Sequence, residues 1–250
     1  MGRLLPFEYA NLIANLSPKM PYKHLFFDLD HTLWDFERNS AESLTEVYEV
    51  FKLSNHGVAS LGDFVGTFLM VNTRLWSDFD HGRIAHGYIR AHRFRLVLEA
   101  MNIPMVAFGE EMSEEYLRLL PQKTHLLAGA GALLDYLSKK NYQLHIITNG
   151  FDLIQARKME SSHILHYFQH VVTNEKAGAK KPDPQIFAHA LLLAKALPRE
   201  SLMIGDNWVA DILGALRFGI DAAFYNPGRQ NFEEKPTYDI AHLDELMAFL

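Results

Sequence analysis

The 250-residue chain carries 24 lysines and arginines against 30 aspartates and glutamates, a net charge of −6, with 48% hydrophobic and 22% charged residues. That is the composition of a globular protein able to bury a substantial core, and it excludes the basic face a nucleic-acid polymer requires and a membrane-binding patch. The chain has no cysteine, which excludes disulfides, thiolate catalysis and thiolate-bound zinc, fits a reducing compartment and makes the cytoplasm the expected location.

No apolar stretch reaches the ~20 residues of a membrane-spanning helix. Residues 1–19 hold Arg3 and short apolar patches but no continuous apolar run with a small-residue cleavage site, and read as an extension of unknown role. Tyr22 to Phe27 is a short apolar and aromatic run ended by acids, the pattern of a buried strand. The period then changes. Ala41, Leu44, Val47, Tyr48 and Phe51 recur at helical spacing, as do Phe64, Phe68, Val71 and Leu75, then Ile89, Phe94, Val97 and Leu98. Met112 to Leu120 makes a fourth, shorter helix. No strand interrupts this stretch.

After Pro121 strands and helices alternate. Helices are expected over 130–140, 152–160, 184–196 and 209–218, with Pro182 and Pro184 setting the start of the third. Strands are expected at 143–147, 171–172, 202–204 and 222–225. Such alternation implies an α/β fold, a doubly wound parallel sheet with helices on both faces. The predicted organisation is a core from 20–36 and 122–250, interrupted after its first strand by an all-helical insert over 37–121. Ligands bind such sheets beyond the carboxyl ends of the strands, so the polar residues that end the strands converge there.

Four groups of strand-end residues carry chemistry. Asp28 and Asp30 follow the first strand: one carboxylate can attack phosphorus, the other can protonate the leaving oxygen and then activate water, and both offer hard oxygen ligands for Mg²⁺. Alone, Asp-x-Asp-x-Thr reads equally as a capped turn. Thr148-Asn149-Gly150 ends the second core strand, where a hydroxyl and backbone N–H groups can hold phosphate oxygens; alone, it reads as a helix cap. Lys181, with Lys180 as competitor, can neutralise phosphate as a point cation. Gly205-Asp206-Asn207 with Asp211 places two carboxylates suited to Mg²⁺, or an N-cap with a dipole-favoured acid. Read as decorations, the four would have to fall by chance, in a workable order, on one sheet edge. Together they supply a nucleophile, an acid/base, a phosphate cradle, a cation and a metal site, the parts of phosphoryl transfer.

In this order the residues resemble the four motifs of the haloacid dehalogenase superfamily: Asp28-Leu29-Asp30-His31-Thr32, Thr148-Asn149-Gly150, Lys181-Pro182, and Gly205-Asp206 with Asp211. The resemblance implies a Rossmann-like core with a helical cap, Asp28 as nucleophile forming an aspartyl-phosphate, Asp30 as general acid/base, and Thr148 and Lys181 as phosphate binders, with Asn149 and Thr32 beside them. It also implies Mg²⁺ on Asp28, Asp206 and the backbone carbonyl of Asp30, with Asp211 behind them, holding a metal-bound water or Lys181. Dehalogenases lack the second aspartate of the first motif, so Asp30 matches the phosphatases.

The insert is similar to the small cap of the branch that includes nucleoside-monophosphate phosphatases, phosphoglycolate phosphatase and β-phosphoglucomutase. Asn72-Thr73-Arg74-Leu75-Trp76, Gly82-Arg83-Ile84 and Arg93-Phe94 look most like its nucleotidases. Trp76 can stack on a base and Arg83 can meet a phosphate or base edge. Against this, Leu75, Trp76, Phe79 and Phe94 read more readily as packing of the insert, and Arg74, Arg83, Arg90, Arg93 and Arg95 as a solvated face. His163, His166 and His170 read as surface or loop residues, and His31 as lining the entrance. The expected substrate is a small phosphorylated metabolite, first a nucleoside 5′-monophosphate. A sugar phosphomutase is the alternative enzyme, and a non-catalytic phosphometabolite-binding regulator the alternative of another class. The sequence leaves oligomeric state open.

Overall fold

The computed structural model describes residues 22–104 and 108–250, so the N-terminal extension expected over 1–19 lies outside the described residues. Six parallel strands form one sheet in the order β3-β2-β1-β4-β5-β6. They are β1 His24–Phe27, β2 Gln143–Thr148, β3 Phe168–Thr173, β4 Ser201–Gly205, β5 Asp221–Tyr225 and β6 Tyr238–Ile240. The expected strands are present. β3 is longer than the apolar pair Val171-Val172 foretold, and β6, three residues at the sheet edge, has no hydrophobic run to announce it.

Side chains alternate across the pleat. Leu25 and Phe27 point into one core with Leu144, Ile146, Leu202 and Ile204. Phe26 points into the other with Ile147, Met203, Ile186 and Phe187. Both faces are therefore covered, as a parallel sheet requires. β1 lies in the middle, pairing Phe27 with Ile146 of β2 and with Ile204 of β4. The chain passes from β1 to β2 and β3 on one side and returns to β4 on the other. The carboxyl ends of β1 and β4 thus flank a topological switch point, where such folds hold ligands.

Among the described residues four helices lie between β1 and residue 122: α1 Phe36–Val50, α2 Leu61–Asp80, α3 His86–Ala100 and α4 Gly109–Leu119. Asp35 and Ser60 cap the first two, accepting from the backbone N–H of Arg38 and Asp63. Phe64, Phe68, Phe94, Val97, Met112 and Tyr116 interlock between them. The segments that enter and leave this unit run side by side, with Asp35 N–H bonded to His125 O at 3.1 Å and Leu127 N–H to Leu33 O at 2.9 Å. Arg93 departs from the solvated face expected of it. It is 4% exposed, donates to Asn72 Oδ1 at 3.1 Å, and its guanidinium lies 4.7 Å from the Tyr116 ring centroid. Stacking on aromatic faces is what makes a buried guanidinium tolerable.

The remaining helices are α5 Ala130–Lys139, α6 Asp152–Ser161, a single turn α7 Asn174–Ala177, α8 Pro184–Ala194 and α9 Gly214–Phe218. α9 continues a wide turn over Trp208–Leu213, begun by Asn207, whose side chain accepts from Val209 N–H and Ala210 N–H. His163 and His166 are exposed, whereas His170 sits on β3 and stacks on buried His145 at 5.3 Å between ring centroids. Among the described residues no helix is long and apolar enough to cross a membrane.

Candidate active site

The residues expected at the strand ends meet. Asp28 leaves β1 with its backbone N–H still bonded to Ile204 O at 2.9 Å, which anchors it to β4. The chain then turns sharply. Leu33 and Trp34 both donate backbone N–H groups to Leu29 O, and His31 takes a left-handed φ of 60°. That turn brings Asp30 back over the strand end beside Asp28. A cavity of about 170 Å³ opens here, lined by Asp28, Asp30, Thr148, Asn149, Lys181, Asp206 and Asp211. His31 lines its mouth, and Asn72, Trp76 and Asp80, spaced four apart on α2, form the wall opposite the strand ends.

Of the two candidate lysines, Lys181 is the one that enters the cavity. It is 2% exposed, and its ammonium lies 2.5 Å from Asp28 Oδ1 and 2.6 Å from Asp211 Oδ1 while donating to Ile147 O at 2.7 Å. Lys180 turns away, with its ammonium 3.9 Å from the Phe79 ring centroid and donating to Phe79 O. Asn149 holds the Lys181 loop from both sides, donating to Lys181 O at 3.0 Å and accepting from Lys181 N–H at 2.8 Å. One N–H and one lone pair of its side-chain amide are thereby engaged by the loop.

Thr148 is buried, and its Oγ1 accepts from Gly150 N–H at 3.1 Å and from Gln155 Nε2 at 2.8 Å. With both lone pairs used, its O–H is left to donate, and the residue lines the cavity. Thr32 is fully buried and donates to Asp206 Oδ1 at 3.0 Å, so it holds Asp206 in place. Asp211 Oδ2 accepts from Asn207 N–H at 3.0 Å. A Cβ on Gly205 would stand 2.3 Å from that same oxygen, so the strand end must be glycine for Asp211 to reach Lys181.

Trp76 lines the cavity, half-buried, in edge contact with Phe79 and His86. Arg83 does not join the site. It is exposed, and its Nε pairs with Asp78 at 2.6 Å.

The electrostatics follow from burial. Desolvation pushes the Asp28 carboxyl up to about 7 despite Lys181 beside it, with Asp211 adding to the rise. Asp206 lies well above the usual carboxylate range, from burial first and then from the charges of Asp28 and Asp211. Burial works against the Lys181 charge, but the two aspartates more than offset it and stabilise the ammonium. Asp30 goes the other way. Burial opposes its ionisation, yet the Lys158 ammonium and the Gln155 amide bring the carboxyl below its ordinary value.

Asp28, Asp206 and Asp211 each present an oxygen within 4.8 Å of the others. Three hard oxygen donors around a single lysine leave excess negative charge, which adds to the rise that burial gives Asp28 and Asp206. A divalent cation would relieve that repulsion, and the donor set suits Mg²⁺.

Two residues of this site went unnoticed in the sequence. Gln155 and Lys158 lie one turn apart on α6, both buried. Lys158 Nζ bonds Asp30 Oδ1 at 2.7 Å and Oδ2 at 2.9 Å, and Gln155 Nε2 bonds Asp30 Oδ2 at 2.8 Å. The available signal was two polar residues at a spacing of three on the inward face of a helix that leaves the Thr148 turn.

A doubly wound sheet with an acidic cluster, a buried lysine and a strand-end hydroxyl at its switch point defines a phosphoryl-transfer hydrolase. The chain belongs to the haloacid dehalogenase-like hydrolases, matching that family over residues 22–219, and is a phosphatase of that family. It is 31% identical over 236 residues to the pyrimidine 5′-nucleotidase PynA of Streptococcus pneumoniae, covering 91% of this chain and 94% of that protein. It is 29% identical to the pyrimidine 5′-nucleotidase YjjG of Escherichia coli, covering 92% of this chain and 99% of that one. The magnesium-bound crystal structure of the HAD-hydrolase YfnB of Bacillus subtilis superposes with a TM-score of 0.82 at 28% identity, covering 92% of this chain and 98% of that chain.

Proposed function

We propose that the protein is a Mg²⁺-dependent phosphomonoesterase acting on a nucleoside 5′-monophosphate through an aspartyl-phosphate on Asp28. The observation that carries this reading is the Asp28 carboxylate itself, buried at the switch point with Lys181 at 2.5 Å and Asp30 on the same cavity wall. Asp28 attacks phosphorus while the Lys181 ammonium and the Thr148 hydroxyl hold the transferring oxygens, the positioning and charge stabilisation on which phosphoryl transfer depends. Asp30 gives a proton to the leaving oxygen, then takes one from the water that releases phosphate. Asp28, Asp206 and the backbone carbonyl of Asp30 would hold Mg²⁺, which would supply charge neutralisation at the phosphate oxygens.

The helices α1 to α4 act as a cap closing over the core. The leaving nucleoside lies under α2, where Trp76 offers an aromatic face for a base. The names of PynA and YjjG, which span nearly the whole chain, support a pyrimidine nucleotide as the first substrate class. Hydrolysis of 4-nitrophenyl phosphate and of a panel of nucleoside monophosphates tests the reading, with and without Mg²⁺. Wild-type rates no higher than those of Asp28→Asn would sink it; activity confined to non-nucleotide phosphates would remove the substrate assignment alone.

A further inference from the structure

Lys158 is a buried lysine. It is 3% exposed, and its ammonium lies 4.4 Å from the Trp34 ring centroid and 5.7 Å from that of Phe36. Those aromatic faces compensate part of its lost hydration. Trp34 is itself fully buried and fixed, its indole N–H donating to Ser162 Oγ at 3.1 Å. The ammonium is therefore held from behind, and Asp30 is the acid it faces, through both oxygens.

Gln155 completes the arrangement. Its Nε2 spans Asp30 Oδ2 and Thr148 Oγ1, each at 2.8 Å, joining the first-strand acid to the second-strand hydroxyl. A Cβ on Gly150 would come within 2.4 Å of that nitrogen, so the glycine keeps room for the bridge.

A carboxylate has four lone-pair directions. Asp30 Oδ2 accepts from Lys158 and from Gln155, and Oδ1 accepts from Lys158. One direction on Oδ1 remains, and the side chain, 23% exposed, lines the cavity. We propose that Lys158 and Gln155 are positioning residues that clamp Asp30, so that a single lone pair of Oδ1 exchanges the catalytic proton. A proton on that lone pair leaves all three accepted bonds in place, so the aim of Oδ1 is the same before and after transfer.

This rests on the phosphomonoesterase reading above. In its first step the Asp28–phosphorus bond forms and the ester phosphorus–oxygen bond breaks. The leaving oxygen keeps the electron pair and takes the proton from Asp30 Oδ1. In the second step a water oxygen bonds phosphorus, its proton passes to Oδ1, and the Asp28–phosphorus bond breaks. Asp30 ends as it began. A clamp that aims Oδ1 matters most where the leaving oxygen needs the proton most.

The test compares phenyl phosphate with 4-nitrophenyl phosphate, close in size but different in the basicity of the leaving oxygen. Lys158→Met is expected to lose kcat/KM on phenyl phosphate by about 10²-fold, the scale of general acid catalysis, and on 4-nitrophenyl phosphate by roughly tenfold less. Lys158→Arg is expected to recover part of the phenyl phosphate rate. Gln155→Met, which keeps the lysine, is expected to shift the two rates in the same sense by less, and carries the test if Lys158→Met fails to fold. Equal losses on both substrates, or none, overturn the clamp. Asp30→Asn in the same assay separates the two ideas. If it shows no dependence on the leaving group, the acid/base reading fails; if it does while Lys158→Met and Gln155→Met do not, the clamp alone fails.

Discussion

Replacing Lys181 with methionine keeps much of its volume and removes its charge, leaving Asp28, Asp211 and Ile147 O facing one another without the cation that joins them. Lys181 and Asp28 are 2% and 8% exposed, so water can do little to screen the loss. Removing one partner of a buried ion pair costs about 3–5 kcal/mol. At roughly 2–4 °C per kcal/mol for a protein of this size, Tm should fall by roughly 6–20 °C. The sign with pH is fixed. Asp28 and Asp206 already sit above their ordinary values from burial, and losing the lysine raises Asp28 further. A carboxyl raised in the folded state contributes stability at low pH and loses it as pH rises through the folded value. The Tm deficit against wild type should therefore be larger at pH 8 than at pH 6. Added Mg²⁺ should restore part of it at pH 8, where the carboxylates are ionised to receive it. Thermal melts at both pH values, with and without Mg²⁺, provide the check. A deficit at pH 8 under about 2 °C, or one that grows as pH falls, would refute the reasoning.

Two further outcomes follow from the same geometry. Lys180→Ala should leave 4-nitrophenyl phosphate hydrolysis within a few-fold of wild type while Lys181→Met abolishes it, because Lys180 packs on Phe79 rather than on the acids; the reverse pattern would show the lysines misassigned. His145 is pushed down to about 3, first by burial and then by its neighbours His24 and His170. A histidine depressed when folded favours the fold above its unfolded value and loses that advantage as pH falls, here from about 6.5 toward 3. Linkage gives a loss of roughly 2 kcal/mol between pH 7 and pH 5. Urea midpoints at those two pH values should converge in His145→Phe, and unchanged acid sensitivity in that variant would count against the account.

The strand-end aspartates and the alternation after Pro121 were legible because each depends on local pattern. A strand of the inner sheet is an apolar run, and the acids that follow it must lie at its carboxyl end. Side-chain commitments were not legible, because they depend on what the chain meets across the fold. Asn149 was expected beside the phosphate, and its amide also ties down a loop 32 positions away. Thr32 looked like a substrate contact, but its hydroxyl is used by Asp206, 174 positions away. Arg93 shares a helix with exposed Arg90, and only the rings of Phe68, Phe94 and Tyr116 make it a core residue. Lys158 was hidden for the converse reason. A lysine on a helix is ordinarily solvated, and nothing in its neighbours along the chain shows that Asp30 will lie 2.7 Å away.

The placement of the two lysines divides the chemistry between the two aspartates of the first motif. Each lysine is almost fully buried and each meets one of them: Lys181 pairs with Asp28, and Lys158 with Asp30. The surroundings then differ. Asp28 shares its lysine with Asp211 and lies near Asp206, so negative charge is in surplus, and burial first, with Asp211 adding to it, raises its carboxyl to about 7. Asp30 has Lys158 and Gln155 largely to itself and falls below its ordinary value. Two carboxylates two residues apart, in one turn of chain, thus go in opposite directions, Asp28 raised by burial and Asp30 lowered by Lys158 and Gln155. A divalent cation beside Asp28 would favour the carboxylate that attack on phosphorus requires. The surplus at Asp28 calls for a cation with hard oxygen preference, while the clamp on Asp30 calls for none. On the proposed reading, that asymmetry would put a divalent ion on the Asp28 and Asp206 side of the cavity and leave Asp30 Oδ1 for proton transfer.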